Sequence, residues 1–218
     1  MVIFDCNGVL VDSEPIASAV LADALTRAGI RASAETVARR YHGRRPADVL
    51  TAIETTTGRK LPANFAVGVA AETLKRFRSE LRPLPHVAHA LSWVRGPKAV
   101  ASSSPFDRIR ACLEVAGLIR YFESRVFSAS DVPNGKPAPD LFRYAAARMQ
   151  VEPSSCIVIE DSVPGVAAAV AAGMTVIGFV GGSAAPGQHA HDLTVAGARA
   201  VIADMRALKS AIADIRGW

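Results

Sequence analysis

The sequence predicts an α/β protein, a doubly wound parallel sheet in the order 3-2-1-4-5 with a purely helical insert after its first strand. Three observations carry that reading. From residue 98 onward, short apolar runs of strand length alternate with segments of helical period, the pattern of right-handed crossovers between parallel strands. Between the first such run and the rest, residues 14 to 82 show helical spacing alone. Chemically active residues recur where the apolar runs stop: Asp5, Ser102 and Glu160-Asp161. The division that follows is a core domain over 1–12 and 85–218 and a helical domain over 13–84.

Taken in order, Val2-Ile3-Phe4 is an unbroken apolar run ending at Asp5, as expected of a strand covered on both faces. Leu21, Leu25 and Ala28 keep one apolar face up to a stop at Gly29. Val37, Tyr41, Val49, Leu50 and Ile53 continue the spacing up to Gly58, and Phe65, Val69, Leu74 and Phe77 make a last helix before Pro83 and Pro85. Lys98–Ala101 is the next strand, followed by a helix through Ile109, Leu113 and Val115. Arg125–Phe127 is a strand and Pro139–Met149 a helix. Cys156–Ile159 is a buried strand, after which Ser162 caps a helix of Ala and Val that stops at Gly173. Thr175–Gly178 is a fifth strand, Gly181–Gly187 a loop, and a weaker strand at Ala200–Ile202 precedes the final helix.

Composition narrows the function classes. Of 218 residues, 50% are hydrophobic and 21% charged, too apolar for a disordered chain. No apolar run reaches the roughly 20 residues a bilayer span needs, and Asp5 interrupts the stretch a signal peptide would require. A cytoplasmic protein without membrane attachment is expected. Cys6, Cys112 and Cys156 are odd in number, widely spaced and flanked by apolar residues, which predicts buried thiols rather than disulfides or a zinc site. The net charge is +5, yet only Arg39-Arg40 and Arg44-Arg45 cluster and aromatics are 6%. That argues against nucleic acid and for an anionic small molecule.

In an open parallel sheet, ligands bind at the carboxyl ends of strands where the order reverses. With strands one and four adjacent, Asp5, Glu160 and Asp161 converge. Three carboxylates in one crevice repel one another and call for a cation; hard oxygen ligands with room for water suit Mg²⁺.

The segment Phe4-Asp5-Cys6-Asn7-Gly8-Val9-Leu10-Val11-Asp12-Ser13 resembles the first motif of the haloacid dehalogenase superfamily, in its β-phosphoglucomutase-like branch. Ser102 resembles the second motif, Lys136 in Gly135-Lys-Pro-Ala-Pro-Asp140 the third, and Glu160-Asp161-Ser162 with Gly165 the fourth. The helical insert matches that family's cap domain. The resemblance implies that Asp5 is a nucleophile taking a phosphoryl group from a small phosphorylated substrate. It further implies that Mg²⁺ is held by Asp5, the Asn7 carbonyl, Asp161 and Glu160, that Ser102 and the Ser103 amide bind phosphate, and that Lys136 supplies a fixed positive charge. Cap closure by bending near Ser13 and Pro83-Leu84-Pro85 is expected. Arg45 is the candidate contact to the rest of the substrate, an ordinary solvated arginine being an equally good reading.

One position departs from the family pattern. Phosphate-transferring members carry a second Asp two residues after the nucleophile, as acid and base; here it is Asn7. Losing such a group costs on the order of 10²–10⁴-fold. Asn7 is consistent with a slow phosphatase or a phosphate-ligand binder, with a substitution that traps a complex, or with different chemistry. Haloacid dehalogenation needs no metal, so Glu160-Asp161 argues against it. Phosphonoacetaldehyde hydrolysis needs a cap lysine, and the insert has only Lys60 and Lys75. The mutases carry a cap histidine that would fall near Ala17, and no His precedes His42. The expected activity is Mg²⁺-dependent hydrolysis of small phosphomonoesters of the sugar-phosphate type, impaired by Asn7; a weak or inactive binder and a mutase are the alternatives.

Overall fold

The computed structural model describes residues 1–183 and 188–217. Six parallel strands form one sheet: β1 (Val2–Phe4), β2 (Lys98–Ser102), β3 (Val126–Ser128), β4 (Ile157–Glu160), β5 (Thr175–Phe179) and β6 (Ala200–Ile202). Their order is β3-β2-β1-β4-β5-β6. The expected order is observed, with the weak sixth strand extending the edge beside β5. The ten α-helices among the described residues are α1 (Glu14–Arg27), α2 (Ala34–Tyr41), α3 (Pro46–Thr57), α4 (Phe65–Glu80), α5 (Val87–Trp93), α6 (Phe106–Val115), α7 (Asp140–Arg148), α8 (Val163–Ala171), α9 (His189–Val195) and α10 (Leu208–Arg216).

Successive strand side chains face opposite sides, and both sides are covered. Phe4, Ile159 and Ile177 point into one apolar cluster with Leu10, Leu113, Phe122 and Leu208. Ile3, Val158 and Val176 point into the other with Leu141, Phe142, Val166 and Leu193. Double coverage is why these strands read as unbroken apolar runs. Ser162 does cap α8, accepting from the Gly165 amide at 3.1 Å. All three cysteines are buried free thiols. The sequence reading omitted α5 and α9, both seven residues long, too short to display a clear period. The Gly181–Gly187 loop extends, at 184–187, outside the described residues.

Helices α1–α4 enclose a separate apolar cluster of Ala22, Ala24, Leu25, Val37, Val49, Ile53 and Phe65. The far end of α4 leaves it: Phe77 and Leu81 are buried in the cluster on the sheet. The two connections between the units lie side by side. Asp12 donates its amide to the Arg82 carbonyl at 3.1 Å, Leu84 to Leu10 at 3.0 Å, and Val11 bridges Pro83 in antiparallel fashion. No helix of the described residues is long and apolar enough to cross a membrane.

Candidate active site

Strand ends deliver the acids. Asp5 follows β1, Glu160 ends β4, and the pairing of Phe4 with Ile159 sets the two strand ends level. Asp5, Glu160 and Asp161 are all buried and offer carboxylate oxygens within 4.8 Å of one another. The turn after β1 makes the crowding possible. Gly8 has φ +76°, and a Cβ there would lie 1.8 Å from Asp161 Oδ2; a side chain would occupy the place of that carboxylate.

Lys136 reaches into the cluster from the segment before α7. Its Nζ donates to Asp5 Oδ1 at 2.6 Å, to Glu160 Oε2 at 2.7 Å and to the Ala101 carbonyl at 3.3 Å, so all three protons have acceptors. Burial lowers the Lys136 pKa, but the Asp5 and Glu160 carboxylates outweigh it and hold it above the ordinary lysine value. Burial pushes the Asp5 carboxyl well above its usual range; Lys136 opposes this, while Glu160 and Asp161 add to it. The Lys136 ammonium on Asp5 and Glu160, even with His42 on Asp161, leaves three buried carboxylates short of balance, which is the electrostatic condition that a divalent cation relieves. The donor set, three carboxylates in a crevice, fits Mg²⁺.

Glu160 is committed further: its Oε1 accepts from the Ser162 amide at 3.1 Å and hydroxyl at 2.7 Å. Asp161 is matched by His42, from the α2–α3 loop, whose Nε2 donates to Oδ2 at 2.9 Å. Burial lowers the His42 pKa, yet the adjoining Asp161 raises it to about 10. His189 Nε2 donates to the Asp161 backbone carbonyl. Neither histidine was singled out from sequence. The signal for His42 was available, since it lies three residues before Arg45, the candidate substrate contact.

On the β2 side, Ser102, Ser103 and Ser104 are buried. Ser103 donates its hydroxyl to the Gly43 carbonyl at 2.9 Å, tying core to insert. A Cβ on Gly43 (φ +75°) would come within 2.4 Å of Ser162 Oγ, so the turn lies directly on the start of α8. Asn7 is locked: its Nδ2 donates to Ser104 Oγ at 2.9 Å and its Oδ1 accepts from Ser13 Oγ at 3.0 Å.

Above these residues lies a cavity of about 610 Å³ lined by Asp5, Asn7, Asp161, Ser103 and residues of the helical unit, Ala17 among them. Arg45 is placed elsewhere. Its guanidinium pairs with Asp48 at 2.8 and 3.2 Å and donates to the Pro133 carbonyl at 3.3 Å. It lines a second cleft on the other side of the turn, with Lys136 and Arg39. Of the sequence-derived residues, Asp5, Asn7, Glu160, Asp161, Lys136 and the Ser102–Ser103 turn converge; Arg45 instead bridges helical unit and core.

Comparison with known proteins agrees with this geometry. A family model described as haloacid dehalogenase-like hydrolase matches residues 1–173. The 6-phosphogluconate phosphatase of Escherichia coli is 32% identical over 179 residues, 82% of this chain and 81% of that protein. The fructose-1-phosphate phosphatase of the same organism is 33% identical over 80% of this chain and 93% of its own. A haloacid dehalogenase-like protein of Agrobacterium tumefaciens superposes with TM-score 0.84 at 38% identity, covering 99% of this chain and 98% of that one. With that family model matched over residues 1–173, most of the chain, this protein belongs to the haloacid dehalogenase-like hydrolases.

Proposed function

We propose that this hydrolase is a Mg²⁺-dependent phosphoric monoester hydrolase acting on small phosphorylated metabolites of the sugar-phosphate type. The observation that carries the reading is the buried triad of Asp5, Glu160 and Asp161 around Lys136, with Asp5 and Asp161 lining the cavity. The phosphatase relatives support it, as does a haloacid dehalogenase family hydrolase of Deinococcus radiodurans solved with bound phosphate and sodium, 32% identical with TM-score 0.76 over 98% of this chain and 94% of that one.

In this reading Asp5 attacks phosphorus, the bond to the alcohol oxygen breaks, and water later hydrolyses the aspartyl phosphate, dividing one hard displacement into two. Asp5, Asp161, Glu160 and the Asn7 carbonyl would hold Mg²⁺, which when bound offsets phosphate charge and polarises a phosphoryl oxygen. Lys136 opposes the burial that pushes the Asp5 carboxyl upward and faces the transferred phosphoryl charge. The Ser102 hydroxyl and Ser103 amide receive the phosphate oxygens. Asn7 cannot protonate the departing oxygen, so turnover of poor leaving groups is slow. Ala17, in the cavity wall, offers no proton acceptor for transfer to a second hydroxyl, which favours hydrolysis over a mutase reaction. A second reading, a phosphate-ligand binder, is favoured by Asn7 itself, an amide that can neither give nor take the proton of turnover at this position. Steady-state assays over a phosphomonoester panel, with Mg²⁺ and with excess chelator, decide between them. Metal-dependent turnover is expected of the enzyme, and binding without turnover of any ester overturns it.

A further inference from the structure

Two histidines hold Asp161, one from each unit. His189, at the start of α9 on the core, donates to its backbone carbonyl. His42, in the turn between α2 and α3, places Nε2 2.9 Å from its Oδ2. The two rings lie beside each other, centroids 5.7 Å apart, so the core histidine gives the incoming one a seat. The turn has other anchors on the core: Ser103 holds the Gly43 carbonyl at 2.9 Å, and Arg45 reaches the Pro133 carbonyl at 3.3 Å. His42 differs from both, because its acceptor belongs to the carboxylate triad. The pair is also shielded from water, with side-chain exposures of 15% for His42 and 9% for Asp161, where a bond to a charged acceptor is strong.

Resting on the Mg²⁺ site of the proposed function, we infer that His42 and the metal are antagonists at Asp161. The histidine is a latch that holds the helical unit on the core while the triad carries no cation, and metal loading releases it. Asp161 has one negative charge to share. A donor on Oδ2 draws that charge away from a cation, and a cation on the same carboxylate weakens the hydrogen bond in turn. Room is short as well. Gly8 packs so closely that a Cβ there would overlap Oδ2, which leaves the carboxylate little freedom to turn and serve both. Asp5 and Glu160 meet no such competitor from the helical unit, since their shared partner is Lys136 on the core. By linkage the penalty is reciprocal: the factor that seated His42 takes from metal affinity, the metal takes from the seating of the turn. The helical unit is then held more firmly without metal than with it, which puts metal loading before the opening that admits substrate.

The test is calorimetric Mg²⁺ binding to the parent, His42→Ala and His42→Gln at one pH and ionic strength, without substrate. His42→Ala should bind Mg²⁺ more tightly than the parent by on the order of 10- to 100-fold, the worth of a hydrogen bond to a charged acceptor. His42→Gln, whose amide can still donate to Oδ2 but carries no charge, should fall between. An affinity unchanged or weakened in His42→Ala overturns the antagonism; weakening would make His42 a support for Asp161 as a ligand. A second readout uses the parent alone. Saturating Mg²⁺ should speed amide hydrogen exchange across the turn between Tyr41 and Pro46, and exchange that the metal leaves unchanged or slows overturns the release. A histidine that merely packs would lower protection of the turn when replaced and leave the Mg²⁺ affinity alone. Mg²⁺ binding by none of the three proteins sinks the metal site and the latch with it, whereas equal binding by all three sinks the latch and keeps the metal site.

Discussion

Replacing Asn7 by Asp isolates the missing proton shuttle more cleanly than any other change in this site. The two side chains have nearly the same size, and the existing contacts accommodate a carboxylate. Ser13 already donates to Oδ1 at 3.0 Å. Ser104, which accepts from Nδ2 at 2.9 Å, needs only to rotate its hydroxyl to donate instead. Stability should therefore change by no more than about 1 kcal/mol. Activity should change far more. A positioned general acid is worth on the order of 10²–10⁴-fold, about 3–5 kcal/mol of barrier. The gain has a chemical signature, because an alkoxide needs a proton to leave and 4-nitrophenolate does not. Asn7→Asp should accelerate butyl phosphate by the full factor and 4-nitrophenyl phosphate by much less. Single-turnover and steady-state rates on both esters measure it. Mass spectrometry of the Asn7-Gly8 peptide must accompany them, since deamidation of the parent produces the same side chain. Equal gains on the two esters would falsify the leaving-group argument, and no gain on either would leave the binding reading ahead.

Gly8→Ala forces a Cβ to 1.8 Å from Asp161 Oδ2 at φ +76°; urea melts should show a loss of about 2–4 kcal/mol, and a parent-like midpoint contradicts the observed turn. Asp161→Ala should weaken Mg²⁺ binding more than Glu160→Ala in calorimetric titrations, because Glu160 already serves Lys136 and Ser162 with both oxygens. Lys136→Met removes the ammonium from Asp5 and Glu160, and metal-free stability at pH 8 should fall by about 3–5 kcal/mol. Asp5 already titrates above its usual range with Lys136 present, and losing that cation raises it further. The folded variant thus binds more protons than the unfolded chain, so its deficit should shrink as the pH is lowered from 8 to 5. Chemical denaturation at the two pH values checks this, and a deficit that grows at pH 5 refutes the sign.

The strands, their order and the acids at their ends were legible because they rest on short-range patterns. An apolar run such as Ile157–Glu160 must be buried on both faces, and a parallel sheet built from such runs gathers Asp5, Glu160 and Asp161 at one edge. Lys136 was readable through its motif, though nothing local in Gly135-Lys136-Pro137 demands that an ammonium be buried. What depended on contacts distant in sequence stayed hidden. His42 matters through Asp161, 119 positions away, and Ser103 through Gly43, 60 positions away. Arg45 read equally as a ligand contact and as a solvated arginine in a basic turn, and its fork is taken by Asp48 and the Pro133 carbonyl. Arg108 shows the same limit in reverse. On α6 it reads as one more helical arginine, and only the packing of α4 over α6 buries its Nε against Phe77 without a partner. Sequence alone determined which residues could do chemistry at the strand ends, because backbone periodicity and strand adjacency suffice for that. Which side chains face the cavity, and which spend their hydrogen bonds elsewhere, was decided by how the helical unit seats on the sheet, a matter of burial and partner geometry that no local pattern encodes.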